Sequence, residues 1–247
     1  MGVLCYAYEE VREYRLQMLR DMLTETSGDG LHLCTRSYVL PAEFGDQYGF
    51  NPPIVEKYRQ RFGVNITEGD FDLESWRRLR GEYLTELLAQ AKQLLQKGRQ
   101  RLSLAIPRGQ YLGPPYGNLY LDWKHWVRKG LVDELVVNVI SGRQLTEGLS
   151  GHGYPCNPEE DIGTNPLSQD LGEIYGPVCR EAGCPLFLGA GVDLNRHEPN
   201  ASELRQLARL PGFDGFVFTT GNLGERFSFD KRDRPISWRI EDLLPSP

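Results

Sequence analysis

Short apolar runs alternate along this chain with segments of helical period. The runs are VLCYAY (3–8), GLHLC (30–34), LSLAIP (102–107), ELVVNVI (134–140), PLFLGAGV (185–192) and GFVFTT (215–220). Each has the length of a strand buried on both faces. Between them, apolar residues fall at Leu73, Trp76, Leu79, Tyr83, Leu84, Leu87, Leu88, Ala91, Leu94 and Leu95, a helical period held from Leu73 to Leu95. Asp72 is placed to accept from the free N–H groups at the start of that helix. Gly98 stands where a left-handed C-terminal residue is wanted. Residues 10–25 repeat the pattern with Val11, Tyr14, Met18, Leu19, Met22 and Leu23. A small helix is expected near Pro53–Phe62. Asp122 is placed to cap WKHWV, and Asn200-x-x-Glu203 resembles a capping box.

Strand–helix alternation of this kind implies a parallel sheet with right-handed crossovers. Acids enter three strands at a similar offset: Asp29-Gly30, Asp133-Glu134 and Asp214-Gly215. That placement fits the solvated bottom rim of a barrel. Long irregular excursions follow two strands, at 35–70 and 141–165. In barrels the functional loops follow the strands, so the asymmetry favours a (β/α)8 barrel over an open sheet. No linker or low-complexity tract divides the chain. One barrel domain is expected over 1–223, with a C-terminal tail over 224–247 in which ISWRIEDLL adds a last helix.

Composition narrows the class. Apolar residues make up 40% and charged residues 25%, a globular balance that excludes a disordered chain. The net charge of −6 argues against a nucleic-acid partner, which would face a basic stripe. No apolar run reaches the ~20 residues that span a bilayer. No signal peptide is visible at MGVLCYAYEE. The five cysteines (Cys5, Cys34, Cys156, Cys179, Cys184) are too few and too irregular for a disulfide framework and read mostly as reduced thiols.

Candidate chemistry sits at the strand ends. They offer Arg36 and Tyr38 after the second run, Arg108 after the third, Asn138 in the fourth, Asp193 after the fifth and Asn222 after the sixth. Aromatics crowd the same loops, among them Tyr38, Phe44, Tyr48, Tyr111, Tyr116 and Tyr120. Aromatic faces beside amides, acids and arginines suit a sugar, which offers C–H groups on its face and hydroxyls at its edge. Glycoside cleavage needs two carboxyl groups flanking the bond. Glu43 and Asp193 are the expected catalytic pair, and Arg36, Tyr38, Arg108, Asn138 and Asn222 the expected substrate contacts. His152, Cys156 and His197 lack metal-ligand spacing, so no metal is expected. GxSxG, P-loop and GxGxxG motifs are absent, and no cofactor is expected.

Several blocks together resemble the family-10-like glycoside hydrolases. They are YAYEEVREYRLQMLRDML (6–23), DGLHLCTRS (29–37), YGFNPPIVEKYRQRFGVNI (48–66), FDLESWRRLRGEYLTELL (71–88) and LYLDWKHWVRKGLVDELVV (119–137). The resemblance implies a TIM barrel that hydrolyses glycosidic bonds. It also implies that run 3–8 is the family's third strand and run 30–34 its fourth. The chain then reads as an incomplete barrel of about six βα units, a fragment without the first two strands. Many members carry an acid at the end of the DG-x-x-x strand, where this chain has Cys34. Glu43 can supply a carboxyl from the following loop instead. The alternative is a carbohydrate-binding barrel without catalysis, or a fragment with no function of its own.

Overall fold

The computed structural model describes residues 4–35, 49–112, 119–141, 165–191 and 201–219. Five strands form one parallel sheet: β1 (Gly30–Cys34), β2 (Arg101–Arg108), β5 (Glu134–Ser141), β6 (Leu186–Gly191) and β7 (Gly215–Thr219), in that spatial order. A two-stranded antiparallel ribbon, β3 (Tyr111–Leu112) and β4 (Leu119–Tyr120), stands apart from it. The helices are α1 (Glu9–Thr26), α2 (Pro52–Phe62), α3 (Leu73–Gln96), α4 (Trp123–Arg128), α5 (Leu167–Gln169), α6 (Gly176–Ala182) and α7 (Ala201–Leu207). A π-helical stretch, Asp170–Tyr175, runs between α5 and α6.

Strand order follows chain order without a reversal. A doubly wound sheet would reverse at a switch point and carry helices on both faces. Here one strand face, with Leu31, Leu102, Leu104, Ile106, Leu135, Val137, Leu186 and Leu188, packs on Leu16 of α1, on Leu87, Leu88, Ala91 and Leu95 of α3, and on Trp126 of α4. Each such side chain contributes about 1.5–3 kcal/mol by leaving water. The architecture is mixed α/β with a parallel sheet. The sheet is open among the described residues, so no closed barrel is seen there.

The apolar runs 30–34, 102–107, 134–140, 185–192 and 215–220 all become strands. Run 3–8 does not. Its described residues lead into α1 through a turn, with Tyr8 N–H donating to the Cys5 carbonyl at 3.2 Å. The Tyr6 carbonyl, which a strand would offer to a neighbour, accepts instead from Arg12 Nη1 at 2.5 Å. Among the described residues β1 is an edge of the sheet, and five of the six expected strands are seen.

Local signals are realised unevenly. Asp72 caps α3, its carboxylate accepting from Ser75 N–H at 2.9 Å. Past α3, the left-handed residue is Arg99 (φ 56°) rather than Gly98. Asp122 occupies the N-cap position of α4, but its side chain makes no capping bond. Asn200 of the expected capping box, residues 36–48 and the tail 224–247 lie outside the described residues.

The acids entering the strands act at the start of the sheet. Asp133 Oδ2 accepts from Leu102 N–H at 2.7 Å, and Asp214 Oδ2 accepts from Leu186 N–H at 2.8 Å. In both cases the acid that opens one strand satisfies the first free N–H of the strand before it. Lys92 of α3 pairs with Asp133 as well.

Candidate functional site

In a parallel sheet the strands' C-terminal ends carry the chemistry, because the connecting loops and the free carbonyls converge there. β1 ends at Cys34, a half-buried free thiol. Thr35 follows, its N–H and hydroxyl both donating to the Ala105 carbonyl of β2, at 3.0 and 3.1 Å. β2 runs on with a register irregularity between Ile106 and Arg108. The chain then passes through Gly109 and Gln110 into the β3–β4 ribbon.

Arg108 is 6% exposed at the end of β2. Its Nη1 donates to Asp170 Oδ2 and to the Asn165 carbonyl, each at 3.1 Å. Asn165 Nδ2 donates to the other Asp170 oxygen at 3.1 Å. Tyr175 closes the group by accepting from Gly109 N–H at 2.8 Å and packing its ring on Trp123, with centroids 4.4 Å apart. Burial, with lesser help from Asp170, pushes the Tyr175 phenol well above its ordinary range, so it stays protonated. Asp170 and Tyr175 are the first and last residues of the π-helical stretch. The wider π turn thus holds two polar side chains against one strand end. Sequence reasoning anticipated Arg108 and missed its partners.

Asn138 is half-buried in β5 and neighbours Gly189 of β6 in register. A Cβ on Gly189 would lie 2.5 Å from Asn138 Oδ1, so only glycine leaves room for that amide over the neighbouring strand. Two expected contacts, Arg108 and Asn138, therefore lie near the ends of adjacent strands. Glu43, Asp193, Arg36, Tyr38 and Asn222 lie outside the described residues.

A second polar cluster joins the ribbon to the start of α3. The Tyr111 hydroxyl donates to the Glu74 carboxylate, which also pairs with Arg78 Nε at 2.7 Å. The Arg78 guanidinium lies 4.2 Å above the Tyr120 ring, and Arg77 lies 5.4 Å from the Tyr111 ring. Burial first, then the Glu74 carboxylate, raises the Tyr111 pKa far beyond the ordinary phenol range. Glu74, Arg77 and Arg78 were not anticipated as a site. Glu74 follows the capping Asp72 and reads in sequence as a first-turn helix acid. Its partner Tyr111 is 37 residues away.

A cavity of about 460 Å³ opens between α1, α3 and the end of β1. Its walls include Leu4, Met18, Met22, Leu33, Leu84 and Leu88, with Cys34, Thr35 and Arg80 supplying polar groups. Arg80 stacks on Trp76 at 4.6 Å, and burial lowers its pKa to about 10. These walls suit an apolar group better than a sugar. No metal-holding group of three or more His, Cys, Asp or Glu occurs among the described residues. No described helix is long and apolar enough to cross a membrane.

The glycosyl hydrolase-like 10 family matches residues 4–148, more than half of the chain, and the chain belongs to that family. No curated protein matches it. Among solved structures it is similar to the C-terminal domain of a chitinase-like protein from Desulfitobacterium hafniense DCB-2, with 13% identity and a TM-score of 0.40, covering 76% of this chain and 42% of that one. It is also similar to a Group IV chitinase from Ostrinia furnacalis, with 15% identity and a TM-score of 0.34, again over 76% and 42%. The same insect enzyme in complex with allosamidin matches at 14% identity and 0.35, over 76% and 41%. The chain spans about two fifths of the length of these structures.

Proposed function

We propose that this chain forms part of a glycoside hydrolase that cleaves O-glycosidic bonds of an oligo- or polysaccharide with two carboxyl groups. The observation that carries the reading is membership of the glycosyl hydrolase-like 10 family over 4–148. The strand order supports it, since each parallel strand is laid beside the previous one, as in a (β/α)8 barrel. Residues 1–223 are assigned to that barrel and 224–247 to a tail.

Two of the described carboxylates near the strand ends already hold partners. Asp170 is held by Arg108 and Asn165, and Glu74 by Tyr111 and Arg78. The acid and base are assigned to loop residues, Glu43 and Asp193, from their positions after the strands. One protonates the leaving oxygen, and the other attacks the anomeric carbon or activates water. A carboxyl separation of ~5 Å would give retention, and ~6.5–9.5 Å inversion. Arg36, Tyr38, Asn138 and Asn222 are assigned to the sugar's hydroxyls and face, and Arg108 to shaping the rim beside them.

The test is hydrolysis of a panel of aryl and natural glycosides by the chain, by Glu43→Gln and by Asp193→Asn. Loss of kcat by ~10²-fold or more in each variant supports the pair. Equal rates in parent and variants remove it. One observation favours a second reading, a sugar-binding barrel without catalysis: β1 ends in a half-buried thiol, Cys34, rather than an acid. That reading expects no hydrolysis by any form and saturable binding of an oligosaccharide by calorimetry.

A further inference from the structure

Helix α6 ends in a tight reversal. Cys184 N–H donates to the Cys179 carbonyl at 2.9 Å, and Gly183 N–H to the Arg180 carbonyl at 3.2 Å. Gly183 between them is left-handed, with φ 65°. This bond pair is a Schellman C-terminus, in which the residue three from the helix end meets the residue two beyond it. Ordinarily that contact is apolar. Here both positions are cysteine. Cys179 and Cys184 are 1% and 7% exposed, and both are free thiols. Cys184 Sγ in turn lies 3.8 Å from the Pro185 carbonyl.

We propose that Cys179 and Cys184 are a redox-modifiable dithiol, which a peroxide closes to a disulfide in the native fold. Cys184 reacts first, because it is the more exposed of the two. The thiolate attacks one peroxide oxygen, the O–O bond breaks, and the departing oxygen takes up a proton and leaves as water. Cys184 is then a sulfenic acid. The Cys179 sulfur attacks that sulfur, the S–O bond breaks, and the released hydroxide takes the Cys179 proton to form a second water. Two thiols and one hydrogen peroxide give one disulfide and two waters. Two electrons pass from sulfur to oxygen. The helix end already holds the residues together, so closure asks for side-chain rotation rather than movement of β6. The bond would staple α6 at the end of the same helical stretch that carries Asp170 and Tyr175.

The experiment uses the full chain with Cys5, Cys34 and Cys156 replaced by Ser, treated while folded with hydrogen peroxide, then unfolded and alkylated. The expected product has lost two hydrogens and takes no alkyl group. Trypsin cuts after Arg180, between the two cysteines. The disulfide therefore appears as a cross-linked peptide pair that a reductant separates. Two alkylated thiols, or one over-oxidised cysteine without a cross-link, would overturn the proposal. The single variant Cys156→Ser provides the same peptide map if the triple variant does not fold. There, a cross-link from Cys184 to Cys5 or Cys34, or none, overturns it equally. Adding Cys179→Ser should abolish the cross-link.

Discussion

Asp133 and Asp214 have the same task at two places, closing the start of a neighbouring strand. Their common offset before an apolar run was readable, because a carboxylate entering a buried strand needs a donor and the nearest one is a free strand N–H. Arg108 was readable as a strand-end cation, but its use was not. Its partners Asn165 and Asp170 lie 57 and 62 residues further on, beyond any local pattern. Removing one member of a buried ion pair leaves the other charge poorly compensated. Asp170→Ala is expected to cost about 3 kcal/mol or more, read as a lower midpoint in denaturant unfolding. The double change Arg108→Met, Asp170→Leu should recover much of that loss.

At the scale of elements, the strands were legible as short continuous apolar runs and the long helices by an apolar period of about 3.6 residues. α1, α2 and α3 lie within a residue or two of their apolar patterns. The stretch Leu167–Ala182 was not anticipated, since Gly172, Gly176 and Pro177 lower its helix propensity and its π turn has no periodic signature. Run 3–8 misled because its described apolar residues are only half-buried beside α1, with Leu4 exposed, and their backbone is used in a turn rather than in strand pairing. The α3 cap gives a pH-dependent test. Hydrogen bonds from the Ser75 hydroxyl and N–H hold the Asp72 carboxyl below the usual range. The folded state thus binds this proton less readily than the unfolded chain. The cap's contribution is complete above the unfolded pKa and is lost as pH falls through the folded one. Asp72→Ala should cost about 1 kcal/mol near neutral pH. In urea titrations, the gap between parent and variant should narrow as the pH falls below the ordinary carboxylate range.

For the whole molecule, stability should grade across the sheet. β2, β5 and β6 each have a strand on both sides, while β1 and β7 bound the described sheet. Leu102, Leu104, Leu135, Val137, Leu186 and Leu188 on the inner three are all buried. Amide hydrogen exchange should therefore be slowest in β2, β5 and β6 and faster in β1 and β7. Uniform protection across all five would contradict that gradient. The family was legible from several blocks in order. The expected carboxylates Glu43 and Asp193 lie outside the described residues, in segments without a periodic pattern.

Each strand of the sheet is paired with the one laid down before it. The molecule is thus additive in the manner of a repeat protein, with contacts running between successive βα units. A unit gained or lost at either edge leaves the remaining pairings intact. Such a sheet can emerge from the ribosome one strand at a time, each new strand finding its neighbour already in place.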